Sequence, residues 1–571
     1  MILNVFVNDC KKALCGMKMV FDAAVAAQLN ECKVFLRLLG VSNCTSSIRQ
    51  MRPITKCDVK KCVRFAGDRA YLISAQSQAI SRELFGRPPD SSVQSRKFST
   101  SASEVAHDCP SKQPLKSSKQ RRVPHSRIGR AAGFGNLFLG LGLGAAAEMA
   151  KRSVGASDSS STSNPFLTDA NLERIVDTLC RMRGAALKLG QMLSIQDSSL
   201  VNPKVQKIFE RVRQSADFMP TSQMYSVVNA ELGPDWKDKF ATFEETPFAA
   251  ASIGQVHMAS LPDGRKVAMK IQYPGVSKSI ETDVANITLI LKRFDILPRG
   301  LFAEEAIRVA KKELKWECDY KREASYAEKF SRLLDKDPVF VVPKIFSELT
   351  TERVLTAEYF DGLVLDDCIS LPQETRNWIG ENILRLCLLE VFVFNTMQTD
   401  PNWSNFLYSK DLHKASLSFD QKIVLLDFGA SREYSRKFVD KYLKVIIAAS
   451  NHDRPGILDH SRDLGFLTGY ETKAFLDAHV EAVSVLGEAF ASKEPFDFGA
   501  QCTTEQINRI IPVMLEHRLT PPPTETYSLH RKMSGCFLLC SKLGAVVDCR
   551  SLFLKIAQNY QFGLEKTPDL F

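Results

Sequence analysis

The chain has 571 residues, of which 44% are hydrophobic and 25% are charged, close to the averages for globular proteins. This length predicts several domains, and the composition excludes a wholly disordered chain. The formal net charge of +10 is concentrated at one end, because residues 1–130 hold 23 basic and 9 acidic side chains whereas the remainder holds 52 and 56. A basic segment ahead of a nearly neutral body indicates targeting or membrane contact, and we expect no nucleic-acid partner.

The 15 cysteines are scattered along the chain, and 7 of them precede residue 110. No CxxC pair or Cys/His cluster occurs, and the close pairs Cys57 with Cys62 and Cys536 with Cys540 have no second half. We therefore expect a reducing compartment and no zinc site.

Residues 1–130 have the composition of a mitochondrial presequence. The second part of this segment is rich in arginine, lysine and serine and poor in carboxylates. A secretory signal peptide is not indicated, because Asp9, Asp22 and Glu31 interrupt the apolar spacing near the N-terminus. We expect a targeting region at 1–130, and the alternative is a disordered basic tail.

Residues 131–147, AAGFGNLFLGLGLGAAA, contain no charge and lie between basic flanks. As a helix they would span about 25 Å, the short limit for crossing a bilayer. We predict a transmembrane or membrane-associated helix at 131–150, and the alternative is a buried or re-entrant glycine-rich helix. Gly140 and Gly144 share one helical face, which predicts close helix–helix approach and allows a homodimer. The serine-rich residues 151–164 are typical of a linker.

Apolar residues recur every three or four positions from Leu172 to Leu193, which predicts an amphipathic helix. Lys188 and Gln191 lie three residues apart, with Gly190 between them, and therefore share one face of that helix. An ordinary amphipathic helix would account for the pattern.

Lys270 closes the apolar strand VAMK, which is typical of the lysine that grips the α- and β-phosphates of ATP. The alternative is a solvated strand end. The segment AAASIGQ, residues 249–255, stands where a kinase would place its glycine-rich loop. Three alanines restrict the backbone and favour helix-like dihedral angles. We therefore expect nucleotide to bind the amides of residues 252–255 in a shifted pose, and the alternative is a packing turn.

A lysine in this position needs a carboxylate partner carried by a helix. Residues 310–330 are predicted to form one helix, which offers four acidic candidates. Most of these must be solvated partners of basic residues one helical turn away. The sequence pattern alone does not choose among Glu313, Glu317, Asp319 and Glu323.

The clearest motif is KIVLLDFG, residues 422–429, in which a β-branched apolar run ends at Asp427. Upstream, Asp400 and Asn405 lie five residues apart, as in the kinase catalytic loop HRDxxxxN. In that loop the aspartate accepts or orients a proton, and the asparagine binds metal together with the later aspartate. Asp400 as a simple turn former before Pro401 is the alternative.

Two departures accompany these motifs. A second Asp-Phe-Gly occurs at 497–499, but it is preceded by Lys493, Glu494 and Pro495 where the first copy has an apolar strand pattern, and we reject it as a site. The usual His-Arg before the catalytic aspartate is replaced by Gln398 and Thr399. Because that arginine commonly binds a phosphorylated activation loop, its absence indicates that this form of regulation is missing.

The segments KLGQ, AAASIGQVH, VAMKIQYPG, ECDYKREA, QTDPNWSNF and LLDFG resemble, in order and spacing, the UbiB family of atypical kinase-like proteins. The resemblance covers about residues 165–560. It implies an α+β, protein-kinase-like bilobal fold with an N-lobe at 246–360 and a C-lobe at 361–571. A family-specific helical extension at 165–245, carrying KxGQ, would pack over the cleft.

The resemblance further implies binding of ATP with Mg²⁺ and an ATPase or unorthodox phosphotransferase activity on a small molecule or lipid. The activity would support coenzyme Q biosynthesis at the matrix face of the mitochondrial inner membrane. The implied partners are coenzyme Q biosynthetic proteins and inner-membrane lipids or quinone intermediates. The rival interpretations are a nucleotide-gated scaffold without phosphotransfer and a conventional protein kinase. A conventional kinase is disfavoured by the alanine loop and by the KxGQ helix, because ordinary kinases have no helix ahead of the nucleotide loop.

The family motifs assign site residues by position. Lys270 and Asp400 match catalytic positions, and Asn405 and Asp427 match the metal ligands. Glu317 and Asp319 are expected to meet Lys188, whereas Glu323 is the implied partner of Lys270. The regulatory set then comprises Lys188, Gly190, Gln191, Glu317, Asp319 and Glu323. The ATP-binding set comprises Lys270, the loop residues Phe248, Ala249, Ala250, Ala251 and Ser252, and the hinge residues Ala357, Glu358, Tyr359 and Phe360.

Overall fold

A computed structural model describes residues 127–153, 169–182, 218–293, 303–410, 421–500 and 503–564. The predicted presequence up to residue 126, the linker after residue 153, and Lys188, Gly190 and Gln191 lie outside the described residues. The described part combines helices with sheets in which every strand pair except the parallel pair β5-β10 is antiparallel, so the α+β prediction is confirmed.

The helices of the described residues are α1 (Arg127–Ser153), α2 (Asp169–Met182), α3 (Thr221–Leu232), α4 (Val276–Arg293), α5 (Ala303–Glu317), α6 (Tyr320–Leu333), α7 (Gln373–Phe392), α8 (Arg436–Ser450), α9 (Arg454–Leu464), α10 (Lys473–Ala491), α11 (Thr503–His517), α12 (Thr524–Leu543) and α13 (Cys549–Asn559). The strands are β1 (Thr242–Phe243), β2 (Ala249–Ala250), β3 (Gly254–Ser260), β4 (Lys266–Gln272), β5 (Phe340–Val341), β6 (Val354–Glu358), β7 (Leu363–Val364), β8 (Thr396–Gln398), β9 (Phe406–Ser409), β10 (Lys422–Leu425), β11 (Ser431–Glu433), β12 (Phe496–Asp497) and β13 (Val546–Val547).

The N-lobe is built on a five-stranded sheet in the order β1-β3-β4-β6, with β2 paired to β3. All of these pairings are antiparallel, and Val256 and Leu355 flank Lys270 in register. Along β4 the apolar residues Val267 and Met269 are fully buried and alternate with more accessible positions, as expected for a sheet with one covered face. Because β1 already pairs with β3, the sheet begins slightly before the predicted boundary at residue 246.

A second cluster of buried apolar side chains forms the C-lobe core. It gathers residues of α7, α8, α10, α12 and α13, including Leu384, Leu443 and Leu543. The sheet β5-β10-β9-β7 and the pair β8-β11 contribute side chains to the same cluster, among them Met397 and Ile423. The N-lobe residues form a separate cluster around β3 and β4. The chain passes from the first core to the second after β6. Two separate cores are expected for the predicted bilobal fold.

The glycine-rich segment folds as α1, and its small-residue face packs against α2 of the same chain. A methyl group at Gly144 would collide with the Asn171 side chain, and one at Gly140 would lie 3.2 Å from Arg174 Cδ. The predicted close helix approach is therefore present, but its partner here is α2. Self-association through the same face would require α2 to move away.

Helix α1 is also tied to the N-lobe by a buried ion pair. Arg130 Nε and Nη2 contact the two carboxylate oxygens of Asp283 on α4 at 3.0 and 2.5 Å. Both side chains are at most 1% exposed, and Ser279 Oγ donates to the same carboxylate at 2.8 Å. Within the described residues, no helix combines the length and apolarity needed to cross a membrane. Helix α1 does not meet the requirement for the transmembrane helix predicted at 131–150, because its uncharged run of 17 residues ends at Arg130 and Glu148. The membrane-associated helix stays a prediction.

The single helix predicted at 310–330 is divided into α5 and α6. Helix α5 ends at Glu317, and the Asp319 carboxylate caps the new helix by accepting a hydrogen bond from the Arg322 backbone N–H at 3.0 Å. The break lies at Cys318 and Asp319, where the amphipathic pattern continues without interruption. The prediction of one helix is wrong because aspartate can act as a cap inside a helical pattern.

Candidate active site

Lys270 lies at the centre of the site, between two carboxylates from different elements. Its Nζ donates to Glu323 Oε1 and Oε2 at 2.7 and 3.0 Å and to Asp427 Oδ2 at 3.0 Å. Glu323 comes from the first turn of α6, and Asp427 follows β10. The predicted pairing of Lys270 with Glu323 is therefore confirmed. One ammonium group joins the N-lobe sheet, helix α6 and the Asp-Phe-Gly segment.

Burial and charge act in opposite directions on this group. Burial alone would lower the pKa of Lys270, but the carboxylates of Asp427 and Glu323 raise that pKa well above its ordinary value. Burial raises the pKa of Glu323 to about 7, and Lys270 opposes this shift. Lys270 is therefore a cation throughout the neutral range, and its charge opposes protonation of the buried Glu323 carboxylate.

The alanine loop is extended, which differs from the helix-like dihedral angles predicted for it. Ala249 and Ala250 form β2 and pair with Val256 and Gln255 of β3. The Ala251 N–H closes the turn by donating to the Gly254 carbonyl at 2.8 Å. Pairing with a neighbouring strand outweighs the helical preference of alanine. The Ala251 amide is thereby committed to the turn.

Gly254 is required at the end of this turn for a steric reason. A Cβ atom there would lie 2.5 Å from the Ile271 carbonyl oxygen and 2.9 Å from the Tyr320 hydroxyl. Glycine therefore allows β3 to approach β4 and α6 closely. Nearby, Ser252 Oγ donates to Glu317 Oε2 at 3.4 Å, which connects the loop to the end of α5.

The predicted hinge lies at the end of β6. Ala357 and Glu358 still pair with β4, and the Tyr359 N–H donates to the Lys266 carbonyl at 3.1 Å. The Tyr359 ring packs against the ring of Phe248, the residue that precedes β2. The ring centroids are 5.8 Å apart, and the ring planes are perpendicular. Two of the predicted ATP-binding positions are thus brought together across the sheet. Their role in binding nucleotide stays a prediction.

The Asp400 segment is placed beside Asp427 by strand pairing. Phe406 and Leu425 are partners in the β9-β10 pair, and the Leu426 N–H donates to the Asn405 carbonyl at 2.9 Å. Asp400 Oδ1 accepts a hydrogen bond from the Asn402 N–H at 3.1 Å, which fixes the turn between the two site residues. The register therefore brings the predicted metal ligands to one end of the C-lobe sheet.

The donor set at this position suits Mg²⁺. The Asp427 carboxylate is 27% exposed, and Asn405 has a buried side-chain nitrogen without a hydrogen-bond partner among the described residues. An amide nitrogen does not bind a cation, so the ligand that Asn405 would offer is its side-chain oxygen, beside the carboxylate oxygens of Asp427. Mg²⁺ prefers such hard oxygen ligands and completes its shell with phosphate and water. No group of three or more His, Cys, Asp or Glu in the described part of the chain could hold a metal by itself.

The other acidic candidates have different partners. Glu313 Oε2 contacts Arg531 of α12 at 2.7 Å, and both side chains are buried. Asp319 caps α6, and Glu317 lies beside Ser252. The predicted contact of Glu317 and Asp319 with Lys188 involves a residue outside the described ranges, and it stays a prediction.

Sequence analysis missed Arg322, which precedes Glu323 on α6. Its guanidinium donates to the Gly429 carbonyl at 3.0 Å and to the Ser431 carbonyl, and it lies 4.5 Å from the Trp316 ring. Adjacent residues of one helix therefore hold both Lys270 and the backbone after Asp427. The signal available in the sequence was its place within the quoted KREA segment.

The model of the ABC1 atypical kinase-like domain matches residues 211–461. The chain is similar to atypical kinase COQ8B, mitochondrial, of Danio rerio, with 58% identity over 446 residues, 78% of this chain and 70% of that protein. It is 55% identical to the Rattus norvegicus protein of the same name over 452 residues, 79% of this chain and 84% of that protein. Atypical kinase COQ8, mitochondrial, of Saccharomyces cerevisiae is 46% identical over 455 residues, 79% of this chain and 88% of that protein.

Proposed function

The chain belongs to the family of ABC1 atypical kinase-like proteins, and from this premise we propose that it binds ATP with Mg²⁺ in the cleft between β4 and Asp427. We propose that the bound nucleotide is hydrolysed or donates its γ-phosphoryl group to a small-molecule or lipid acceptor. The observation that carries this proposal is the position of Lys270 Nζ, held between Glu323 and Asp427.

Each residue has a separate task in this proposal. Lys270 would exchange its contact with Asp427 for the α- and β-phosphates while Glu323 keeps it in place. Asn405 and Asp427 would hold Mg²⁺, which neutralises charge on the phosphates when bound. Asp400 would orient the attacking hydroxyl or water and accept its proton.

The finer assignments rest on the relatives and on the basic N-terminus. The relatives are named as mitochondrial, and residues 1–130 carry the presequence-like composition described above. We infer that the protein is imported into mitochondria and acts in coenzyme Q biosynthesis on the matrix side of the inner membrane. Its partners would be the biosynthetic proteins and membrane lipids or quinone intermediates. Fractionation of mitochondria followed by protease protection tests the location.

The activity is tested with the purified full chain by two measurements made together. The first is the rise in melting temperature caused by ATP or ADP with and without Mg²⁺, and the second is release of phosphate from ATP. We expect a Mg²⁺-dependent rise and measurable turnover. Absence of both would refute the proposal. Binding without turnover, with or without lipid vesicles, would favour the nucleotide-gated scaffold, and transfer of phosphate to added proteins would favour a conventional kinase.

A further inference from the structure

We propose that Gln398 is a positioning residue that couples Asp400 to Asp427 through a single side-chain amide. Gln398 Nε2 donates to the Asp427 carbonyl at 3.0 Å. On the same amide, Oε1 accepts a hydrogen bond from the Asp400 N–H. The inference rests on the proposed function, because it concerns how the two acidic residues of that site are held relative to each other.

The backbone of Gln398 is itself held by a buried charged pair. The Gln398 backbone N–H donates to Glu390 Oε1 of α7 at 3.1 Å, and Glu390 Oε2 lies 3.8 Å from Lys532 Nζ of α12. Glu390 and Lys532 are each about 2% exposed or less. Burying two charges is costly unless they compensate each other. This pair therefore supports a fixed backbone position at Gln398.

The neighbouring contacts align the backbone but do not reach both acidic residues. Gln398 pairs with Ser431 in the β8-β11 ladder, and Thr399 Oγ1 donates to the Ala430 carbonyl at 2.8 Å. These bonds bring the two segments alongside each other. Within this set of contacts, the Gln398 side-chain amide alone bonds both to the Asp400 N–H and to the Asp427 carbonyl.

The chemistry of an amide suits this position. A glutamine side chain offers a donor and an acceptor at once, and neither depends on pH. The usual catalytic-loop motif carries histidine here, whose neutral ring offers one donor and one acceptor and whose protonated ring offers only donors. Glutamine therefore keeps both bonds at any pH in the physiological range. Loss of the donor would free the peptide after Asp427 and displace its carboxylate relative to Asn405.

The test compares Gln398→Leu, Gln398→Glu and Gln398→His in the full chain, with Gln561→Leu, an exposed glutamine, as the matched control. The first readout is the Mg²⁺ concentration that gives half of the ATP-induced rise in melting temperature. We expect this concentration to increase about tenfold in Gln398→Leu and Gln398→Glu, since both lose the donor to Asp427. The ATP-induced rise without Mg²⁺ should stay at the wild-type value.

The second readout is hydrogen exchange of the Asp400 amide, which needs no nucleotide. Exchange should be faster in Gln398→Leu and protected in Gln398→Glu, because the carboxylate retains an acceptor. Gln398→His should keep the Asp400 amide protected above pH 7 and lose that protection below pH 6, because the protonated ring offers no acceptor while it still offers a donor to Asp427.

Wild-type Mg²⁺ dependence together with wild-type exchange in Gln398→Leu would overturn the inference. So would an equal loss of ATP binding with and without Mg²⁺, which is the result of a purely structural role. If the wild-type chain binds no Mg²⁺–ATP, the proposed function fails, and the exchange of the Asp400 amide still decides whether Gln398 couples the two segments.

Discussion

The chain carries two Asp-Phe-Gly tripeptides, and their local conformations are alike. Asp427 Oδ1 accepts a hydrogen bond from the Gly429 N–H at 3.0 Å, and Asp497 Oδ1 accepts one from the Gly499 N–H at 2.8 Å. Both aspartates thus form the short side-chain turn that this residue favours before glycine. The tripeptide by itself determines this turn.

The central phenylalanines are alike as well. Phe428 is buried against Phe330 of α6 at a centroid distance of 5.1 Å, and Phe498 is buried against Phe537 of α12 at 5.4 Å. Each ring anchors its turn to the nearest helix. Neither the turn nor the buried phenylalanine distinguishes the Asp427 tripeptide, in the proposed site, from the Asp497 tripeptide.

The difference lies in what the carboxylate meets. Asp427 pairs with Lys270, whereas Asp497 is exposed and its Oδ1 also accepts the Ala500 N–H at 3.2 Å. No ion pair of Asp497 occurs within the described part of the chain. The comparison shows that a motif becomes a site only where a distant strand and helix supply the complementary charge.

Replacing the two aspartates tests this comparison most directly. Asp427→Asn removes a charged metal ligand, and we expect Mg²⁺-dependent ATP binding and turnover to fall about 100-fold, in line with the loss of one strong electrostatic contact in an active site. Asp497→Asn should leave both unchanged. Isothermal titration with Mg²⁺–ATP and a phosphate-release assay measure the effect. An equal loss in both variants would mean that the wrong copy has been assigned.

Acid should weaken the sheet that carries Lys270. His257 on β3 pairs with Met269 on β4 and is fully buried. Its Nε2 lies 2.8 Å from Gln255 Nε2, and its Nδ1 lies 2.8 Å from the Glu244 carbonyl oxygen. Burial lowers the pKa of His257 from 6.5 to about 4, although the Glu244 carbonyl opposes the shift. The unfolded chain therefore binds the proton first as pH falls below 6.5, and the free energy of unfolding decreases through that window.

Because of His257, we expect the free energy of unfolding to be about 2 kcal/mol lower at pH 5 than at pH 7.5. His257→Gln should remove that part of the pH dependence, and thermal unfolding at the two pH values measures it. His479 on α10 is the matched comparison, since burial also lowers its pKa to about 4 in the C-lobe. Identical pH dependence in wild type and His257→Gln would contradict the assignment.

Arg322 distinguishes the first copy by holding the Gly429 carbonyl, and its removal should make that copy more like the second. Arg322→Met loses two hydrogen bonds to the backbone but keeps apolar contact with Trp316. Since bonds to charged groups are worth about 1.5–3 kcal/mol, we expect about a tenfold increase in the Mg²⁺ concentration needed for ATP binding. Arg509→Met, which removes an exposed ion pair with Glu481, is the control and should have no effect. Equal results for both arginines would exclude a positioning role.

The smallest expected effect concerns the alanine loop, which belongs to the same proposed site as the Asp427 tripeptide. Ala251→Gly should lower the melting temperature of the free protein slightly, because glycine costs about 0.5–1 kcal/mol in an ordered backbone. It also removes a methyl group that limits how closely nucleotide approaches the turn. We expect the ratio of the ATP- and ADP-induced increases in melting temperature to change. Unchanged increases would identify Ala251 as a packing residue only.

Much of the site could be predicted because it depends on short-range patterns. The apolar run before Asp427, the five-residue spacing from Asp400 to Asn405 and the strand ending at Lys270 are all visible locally. The predictions failed where one local pattern permits two outcomes. Asp319 could continue a helix or cap a new one, and the alanines could form a helical turn or pair with β3.

By itself, the sequence determined the order of the lobes, the strand ends that carry the charged residues and the turn that each Asp-Phe-Gly forms. These properties follow from periodicity and from bonds between residues close in the chain. The tertiary structure decided which carboxylate meets Lys270, that Glu313 pairs with Arg531, and that the glycine face of α1 packs on α2. Such contacts join residues tens to hundreds of positions apart. Each is selected because a buried charge or a closely packed face needs a complementary partner, and only the folded chain supplies one.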